Sequence, residues 1–156
     1  MPNLHTYGLF VSHAWDYNEE YYRLLDFLMD EPNFQYVNYS VPEHDPIHTN
    51  NNDALAAEIQ KQMRPAEVIL VISGLYVAHS DWIQYEIDVA KWMKKPIIGI
   101  KPWGSERIPQ AVQSAANQIV GWNATSIATA IRQEADRLAI DPNRVTSFSM
   151  KDFLSY

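Results

Sequence analysis

Glu86 has the most unusual surroundings of any charged residue in the sequence. If it lies on a helix, its neighbours three and four positions away are Trp82, Ile83, Val89 and Ala90, and none of them is charged. Burying a carboxylate among apolar side chains costs roughly several kcal/mol unless hydrogen-bond donors compensate. Such a glutamate is either a catalytic group or a structural carboxylate bonded to a backbone group or a distant arginine. The helical spacing alone leaves both interpretations open.

Two other acidic residues have surroundings of the ordinary kind. Asp88 is followed three positions later by Lys91, and Glu58 is followed three positions later by Lys61. Opposite charges at this spacing are typical of a solvated helix face. We therefore expect Asp88 and Glu58 to be exposed, and Glu86 to face the interior or a cleft.

Ser12 and His13 are adjacent polar residues that follow an apolar segment. Adjacent residues in an extended segment point in opposite directions, so these two side chains do not form a nucleophile and base pair with each other. As hydrogen-bond donors to a ligand beyond a strand end they are well suited. The alternative is turn chemistry, in which the Ser12 hydroxyl binds the local backbone.

Metal and thiol chemistry find little support in the sequence. His44 and His48 are four positions apart, but Pro42 and Pro46 exclude a helix that would bring them to one face. We therefore predict no metal site. The chain has no cysteine, which excludes a thiol nucleophile and a disulfide framework.

Several common nucleotide-binding motifs are missing. The sequence contains neither GxGxxG nor GxxxxGK[ST], so it supports neither a dinucleotide-binding Rossmann turn nor a P-loop. A phosphoreceiver of similar topology ends its third strand in aspartate, whereas Ser73 stands at that position here. The segment 12–17 (SHAWDY) also lacks the glycines and threonines of a flavodoxin phosphate loop.

The sequence contains five apolar segments that alternate with helical patterns, and these predict the strands and helices that position the residues above. Alternation of this kind predicts an α/β domain with a parallel sheet and right-handed crossovers. Asn18, Asp53, and Thr125 or Ser126 are the expected starts of three of the helices. The predicted strands are 7–11, 34–39, 67–72, 96–100 and 118–121, and the predicted helices are 18–30, 54–64, 80–94, 110–116 and 125–139.

Five such strands fit the flavodoxin-like order 2-1-3-4-5 in a three-layer α/β/α fold. Ligands of this fold bind beyond the carboxyl ends of strands 1 and 3. That rule selects the segment 12–17, Ser73-Gly74 and the helix that starts near Ser80, and it favours the catalytic interpretation of Glu86. We predict a single domain over residues 1–156, with its core at 7–139 and a tail at 140–156 to which no structure is assigned.

Composition limits the kind of protein and its partners. The chain has 156 residues, of which 47% are hydrophobic and 20% charged, as in globular proteins. Its net charge of −7 disfavours binding to nucleic acid. Neither a signal peptide nor an apolar run of about 18 residues is present, so a soluble, cytoplasmic protein is expected, with no membrane partner.

The order of several segments resembles that of TIR domains. FVSH at 10–13 follows the first strand, and WIQYE at 82–86 is a WxxxE pattern whose glutamate stands where NAD-consuming TIR domains keep their catalytic one. KPIIGIKPWG at 95–104 and IVGWN at 119–123 are more narrowly similar to the TIR-like ThsB proteins of the bacterial Thoeris antiphage system. The resemblance covers about 7–138. WxxxE by itself is a weak motif, whereas the ordered set is fairly specific.

This resemblance implies an activity and a set of partners. TIR proteins of this kind cleave the nicotinamide–ribose bond of NAD⁺, which is a substrate, so no separate cofactor is expected. The Thoeris B proteins make a cyclic ADP-ribose isomer after phage infection, and this diffusible signal activates a partner effector. We therefore expect an NAD⁺ nucleosidase or ADP-ribosyl cyclase that responds to a phage-derived activator and is a homo-oligomer when active.

The resemblance also implies the roles of single residues. Glu86 would bind the nicotinamide-ribose hydroxyls and stabilise an oxocarbenium-like transition state. The loop 40–52 corresponds to the loop after strand 2 that covers the nucleotide in TIR domains and contacts a second protomer. The residues expected to bind the substrate are Phe10, Ser12, His13, Asp45, Ser73 and Trp82.

Two other classes of protein remain open on the sequence alone. One is a non-catalytic TIR-like adaptor or nucleotide-binding module that assembles partners. The other is a different nucleotide enzyme, such as a nucleoside deoxyribosyltransferase-like hydrolase, which uses a glutamate on the same architecture.

Overall fold

A computed structural model describes residues 5–12, 19–40, 52–73, 80–101 and 108–140 of the protein. Within these ranges, strands and helices alternate along the chain. The strands are β1 Thr6–Ser12, β2 Gln35–Asn38, β3 Val68–Ile72, β4 Ile97–Ile100 and β5 Gln118–Val120. The helices are α1 Glu19–Asp30, α2 Asn52–Met63, α3 Ser80–Trp92, α4 Gln110–Ala115 and α5 Ala124–Ile140.

The five strands form one parallel sheet in the order β2-β1-β3-β4-β5. This confirms the predicted flavodoxin-like α/β class and its strand order. The central strand β3 (VILVI) is buried along its whole length, as expected for a parallel strand covered on both faces. Helices α1 and α5 pack together on one side of the sheet, and α3 contacts both α2 and α4 on the other.

Helix α1 is joined to the edge strand β2 through Tyr36. The Tyr36 hydroxyl donates to the carbonyl of Leu25 at 3.1 Å. Burial raises the pKa of Tyr36, and the nearby Tyr21 and Asp26 raise it further. The hydroxyl therefore stays protonated at neutral pH and keeps its donor role.

Helix α3 ends two residues earlier than the sequence predicted. Lys94 has a φ of 57°, in the left-handed region, which stops the helix. The N–H of Lys95 bonds to the carbonyl of Ala90, and the N–H of Lys94 bonds to the carbonyl of Lys91, the two hydrogen bonds of a Schellman motif. The Lys95 amine then donates to the carbonyls of Arg64 and Ala66, both at 2.8 Å. The end of α3 is thereby attached to the turn before β3.

Two predicted helix starts are wrong. Helix α2 begins at Asn52, so Asp53 lies in its first turn, where an acidic residue is also favourable. Helix α5 begins at Ala124, because the Asn123 side-chain oxygen accepts the N–H of Ser126 at 2.9 Å. Asn123 is thus the N-cap, ahead of the predicted Thr125 or Ser126.

Across the described ranges, no helix has the length and apolar character needed to span a membrane.

Gly8 of β1 lies where the chain leaves no room for a side chain. A Cβ atom there would be 2.8 Å from the carbonyl oxygen of Pro65 and 3.1 Å from the Tyr39 ring. The Pro65 oxygen belongs to the backbone, so it does not move aside easily. Gly8→Ala should therefore lower the free energy of unfolding by about 1 to 3 kcal/mol, as overpacking does, in equilibrium urea denaturation.

Gly121 is the matched control, because a Cβ atom there meets nothing within 4 Å. Gly121→Ala should leave the unfolding free energy unchanged or raise it slightly, since alanine restricts the unfolded chain. Equal stability of the two alanine variants would contradict the close approach at Gly8.

Candidate active site

A buried carboxylate and a buried hydroxyl meet at the carboxyl end of β1. The Ser12 hydroxyl donates to Glu86 Oε1 at 2.8 Å. Ser12 is fully buried, and Glu86, on α3, is only 2% exposed. The pair lies where β1 and β3 neighbour each other, at the point where the strand order of the sheet reverses.

The sheet determines where the Ser12 hydroxyl points. Side chains alternate along a strand, so Phe10 and Ser12 face the side of α3, while Leu9 and Val11 face the opposite side. The Cα atom of Ser12 is in register with Val71 of β3. Ser12 is therefore held by the pairing of β1 with β3 at the carboxyl ends of these strands.

The helix determines that Glu86 is buried. Its helical neighbours Ile83, Val89 and Ala90 are completely buried, as the three- and four-residue spacing predicted. Asp88, two positions along, is exposed and accepts a hydrogen bond from Gln84 at 2.9 Å. The predicted contrast between a buried Glu86 and a solvated Asp88 is confirmed. Glu58 is also exposed, as predicted.

A second polar network, which the sequence did not reveal, lies on the β2 side of the same edge. The Ser40 hydroxyl accepts the N–H of Val11 at 2.7 Å and donates to Asn38 Oδ1. The Asn38 amide donates in turn to the hydroxyl of Tyr21 on α1. The signal in the sequence is two polar residues, Asn38 and Ser40, spaced to share one side of an extended segment.

Two predicted substrate-binding residues lie at or near this edge in buried positions. The Ser73 hydroxyl follows β3 and donates to the carbonyl of Ile100 at 2.8 Å, which ties the ends of β3 and β4 together. Phe10 is completely buried within the core. The structure thus brings Ser12 and Glu86 into contact. Ser73 is bonded to the backbone of β4, and Phe10 is packed in the core.

The remaining predicted site residues lie outside the described part of the chain. These are His13, Asp45 and the side chain of Trp82. Their predicted roles, like the substrate-binding roles of Phe10, Ser12 and Ser73, stay predictions. Among the residues that the structure describes, no cluster of three histidine or acidic side chains is placed to hold a metal ion.

This arrangement suits one kind of chemistry. A carboxylate in a dry setting exerts a stronger field than in water, because the local dielectric constant is lower. It can accept hydrogen bonds from ligand hydroxyls and stabilise positive charge that develops in a transition state. The Ser12 hydroxyl fixes one of its oxygens and so orients the carboxylate.

Comparison with known protein families gives a match. The family described as Thoeris protein ThsB, TIR-like domain, matches residues 10–107, which is more than half of the chain and includes the end of β1, α3 and β4. A search of curated proteins gives no match.

The Ser12–Glu86 hydrogen bond should appear as an energetic coupling. A double-mutant cycle of Ser12→Ala and Glu86→Leu, neither of which leaves an atom that can make the bond, should give a coupling of about 1.5 to 3 kcal/mol in urea denaturation, the range for hydrogen bonds to charged groups. The exposed pair Gln84 and Asp88 is the control, and its cycle should give no more than about 0.5 kcal/mol. Additive effects at Ser12 and Glu86 would mean that the contact does not contribute in solution.

Proposed function

The chain belongs to the TIR-like domain family of Thoeris ThsB proteins, and we propose that it cleaves NAD⁺ and converts it into a cyclic ADP-ribose-type signal. Membership makes it a TIR-like protein of Thoeris defence. The observation that carries the proposed activity is the buried Glu86, bonded to Ser12 at the sheet edge where ligands of this fold bind.

The proposed reaction breaks the bond between C1′ of the ribose and the pyridinium nitrogen of nicotinamide. The nitrogen keeps the electron pair and leaves as neutral nicotinamide, so the leaving group needs no proton. Positive charge develops on C1′ and the ring oxygen of the ribose. A preoriented carboxylate lowers the energy of that state more than it lowers that of the substrate, which is the condition for catalysis.

The second half of the reaction decides the product. Attack of water on C1′ forms a C–O bond, releases a proton and gives ADP-ribose. Attack by a nucleophilic atom of the same ADP-ribose unit closes a ring, releases a proton and gives a cyclic isomer. We propose the cyclic product, which then diffuses to a partner effector. The support is the ThsB family membership.

Ser12 is the second residue of the proposed mechanism. Its hydroxyl donates to one carboxylate oxygen of Glu86, so that oxygen is held in place before substrate arrives. A group fixed in advance does not have to reorganise during the reaction. Ser12 therefore orients Glu86, in addition to the substrate contact that the resemblance implies for it.

Replacing Glu86 with glutamine tests the proposed activity. Glu86→Gln keeps the shape of the side chain and removes its charge, so nicotinamide release from NAD⁺ should fall by about a hundredfold or more. The protein should stay folded, because the neutral amide is easier to bury than a carboxylate. The measurements are product mass spectrometry, with and without lysate from phage-infected cells, and urea denaturation.

Asp88→Asn is the matched control. It makes the same chemical change two positions away on the same helix, at an exposed site. It should change neither activity nor stability measurably. A folded Glu86→Gln protein that consumes NAD⁺ at the parental rate would remove Glu86 from the mechanism. A parental protein that is inactive under every activating condition would favour the non-catalytic adaptor.

The active form is proposed to be a homo-oligomer, because TIR active sites are often completed by a neighbouring copy. Specific activity should then rise with protein concentration, in parallel with the oligomer fraction seen by analytical ultracentrifugation. Full turnover in a dilute sample shown to be monomeric would overturn this part of the proposal.

A further inference from the structure

Ser40 lies two residues beyond the end of β2 and binds the backbone of β1 through its side chain. The last backbone bond described between these strands runs from the N–H of Tyr39 to the carbonyl of Leu9, at 2.8 Å. At Val11, two residues further along β1, the N–H instead donates to the Ser40 hydroxyl at 2.7 Å. A side-chain oxygen thus takes over the role of a strand carbonyl at the end of the ladder.

The orientation of the Ser40 hydroxyl is fixed by its neighbours. Asn38 Oδ1 accepts both the backbone N–H of Ser40, at 3.0 Å, and the Ser40 hydroxyl hydrogen. Because a backbone N–H is always a donor, the amide oxygen of Asn38 must face Ser40. The amide nitrogen then faces the Tyr21 hydroxyl on α1. The hydroxyl hydrogen of Ser40 points away from Val11, and a lone pair is left to accept the Val11 N–H.

The residue that follows Val11 is Ser12, the donor to Glu86. On its β3 side, this end of β1 is held by the register of Ser12 with Val71. On its β2 side it is held at Val11 by Ser40, whose own position is fixed through Asn38 and Tyr21. The two sides together set where the Ser12 hydroxyl meets the carboxylate.

From this geometry we propose that Ser40 is a positioning residue for Glu86, acting through Val11 and Ser12. The inference rests on the proposed function, since it concerns the same site. Ser40 has no contact with Glu86 among the described hydrogen bonds, so its effect is on the placement of the carboxylate. Loss of the Ser40 hydroxyl should impair the chemical step more than substrate binding.

The primary test is Ser40→Ala, which removes the hydroxyl and adds no bulk. We expect kcat for nicotinamide release to fall by about tenfold, the effect of one misplaced hydrogen bond of ordinary strength, with KM within about twofold. The ¹³C chemical shift of the Glu86 carboxyl carbon, assigned with Glu86→Gln, should move. Amide hydrogen exchange at Val11 and Ser12 should become faster.

Two kinds of variant separate positioning from general stability. Thr6→Val is the matched control, because the Thr6 hydroxyl also bridges β1 and β2, to Gln35 at 3.3 Å, but at the opposite end of the ladder. It should leave kcat and the Glu86 shift unchanged. Asn38→Leu removes the amide that holds Ser40, so it should lower kcat and move the Glu86 shift in the same direction as Ser40→Ala.

Several results would overturn the inference. If Ser40→Ala equals Thr6→Val in kcat and in the Glu86 shift, Ser40 has no positioning role. If Ser40→Ala does not fold, Ser40→Cys is used in its place, since a thiol is similar in size but is a weak hydrogen-bond partner. A parental kcat and a parental Glu86 shift in Ser40→Cys would also overturn the inference. If the parental protein consumes no NAD⁺, the proposed function fails. The role of Ser40 is then judged from the ¹³C shift of the Glu86 carboxyl carbon alone, which should move in Ser40→Ala and stay unchanged in Thr6→Val.

Discussion

A carboxylate that leaves water must receive its hydrogen bonds from the protein, and Glu86 is placed where a strand can provide one. The donor is a hydroxyl at the last residue of β1, so its position is set by strand pairing and not by a loop. Helix α3 brings Glu86 to this hydroxyl at the carboxyl end of β1. The parallel pairing of β1 with β3 and the path of α3 together keep the Glu86 side chain buried and bonded to Ser12.

Much of the fold could be predicted from the sequence, because its signals are local. The apolar segment VILVI specifies a strand buried on both faces, and regular alternation of strands with helices specifies parallel pairing. The burial of Glu86 could also be predicted, since helical neighbours lie three and four positions away. The exposure of Asp88 followed from the same rule applied two residues later.

What could not be predicted depends on contacts between distant segments. The link from Ser40 to Val11 requires the register that pairs Leu9 with Asn38, and the sequence does not state a register. The sequence predicts a longer α3, because the residue in the left-handed conformation at its end is Lys94, where glycine is more usual. The predicted start of α5 is wrong because Asn123, Thr125 and Ser126 can each cap a helix, and only the geometry selects Asn123.

The central position of β3 has a consequence for handling the protein. Five consecutive apolar residues rich in β-branched side chains form the kind of segment that assembles into intermolecular cross-β structure when it is exposed. In the folded chain β1 and β4 pair with both of its edges, and β2 and β5, which take the outer positions, are only four and three residues long. An edge of this aggregation-prone segment is therefore exposed only when β1 or β4 separates from β3. We therefore expect the folded protein to stay dispersed. On heating, the unfolded chain should aggregate irreversibly, so the rate of unfolding should set how much protein is recovered.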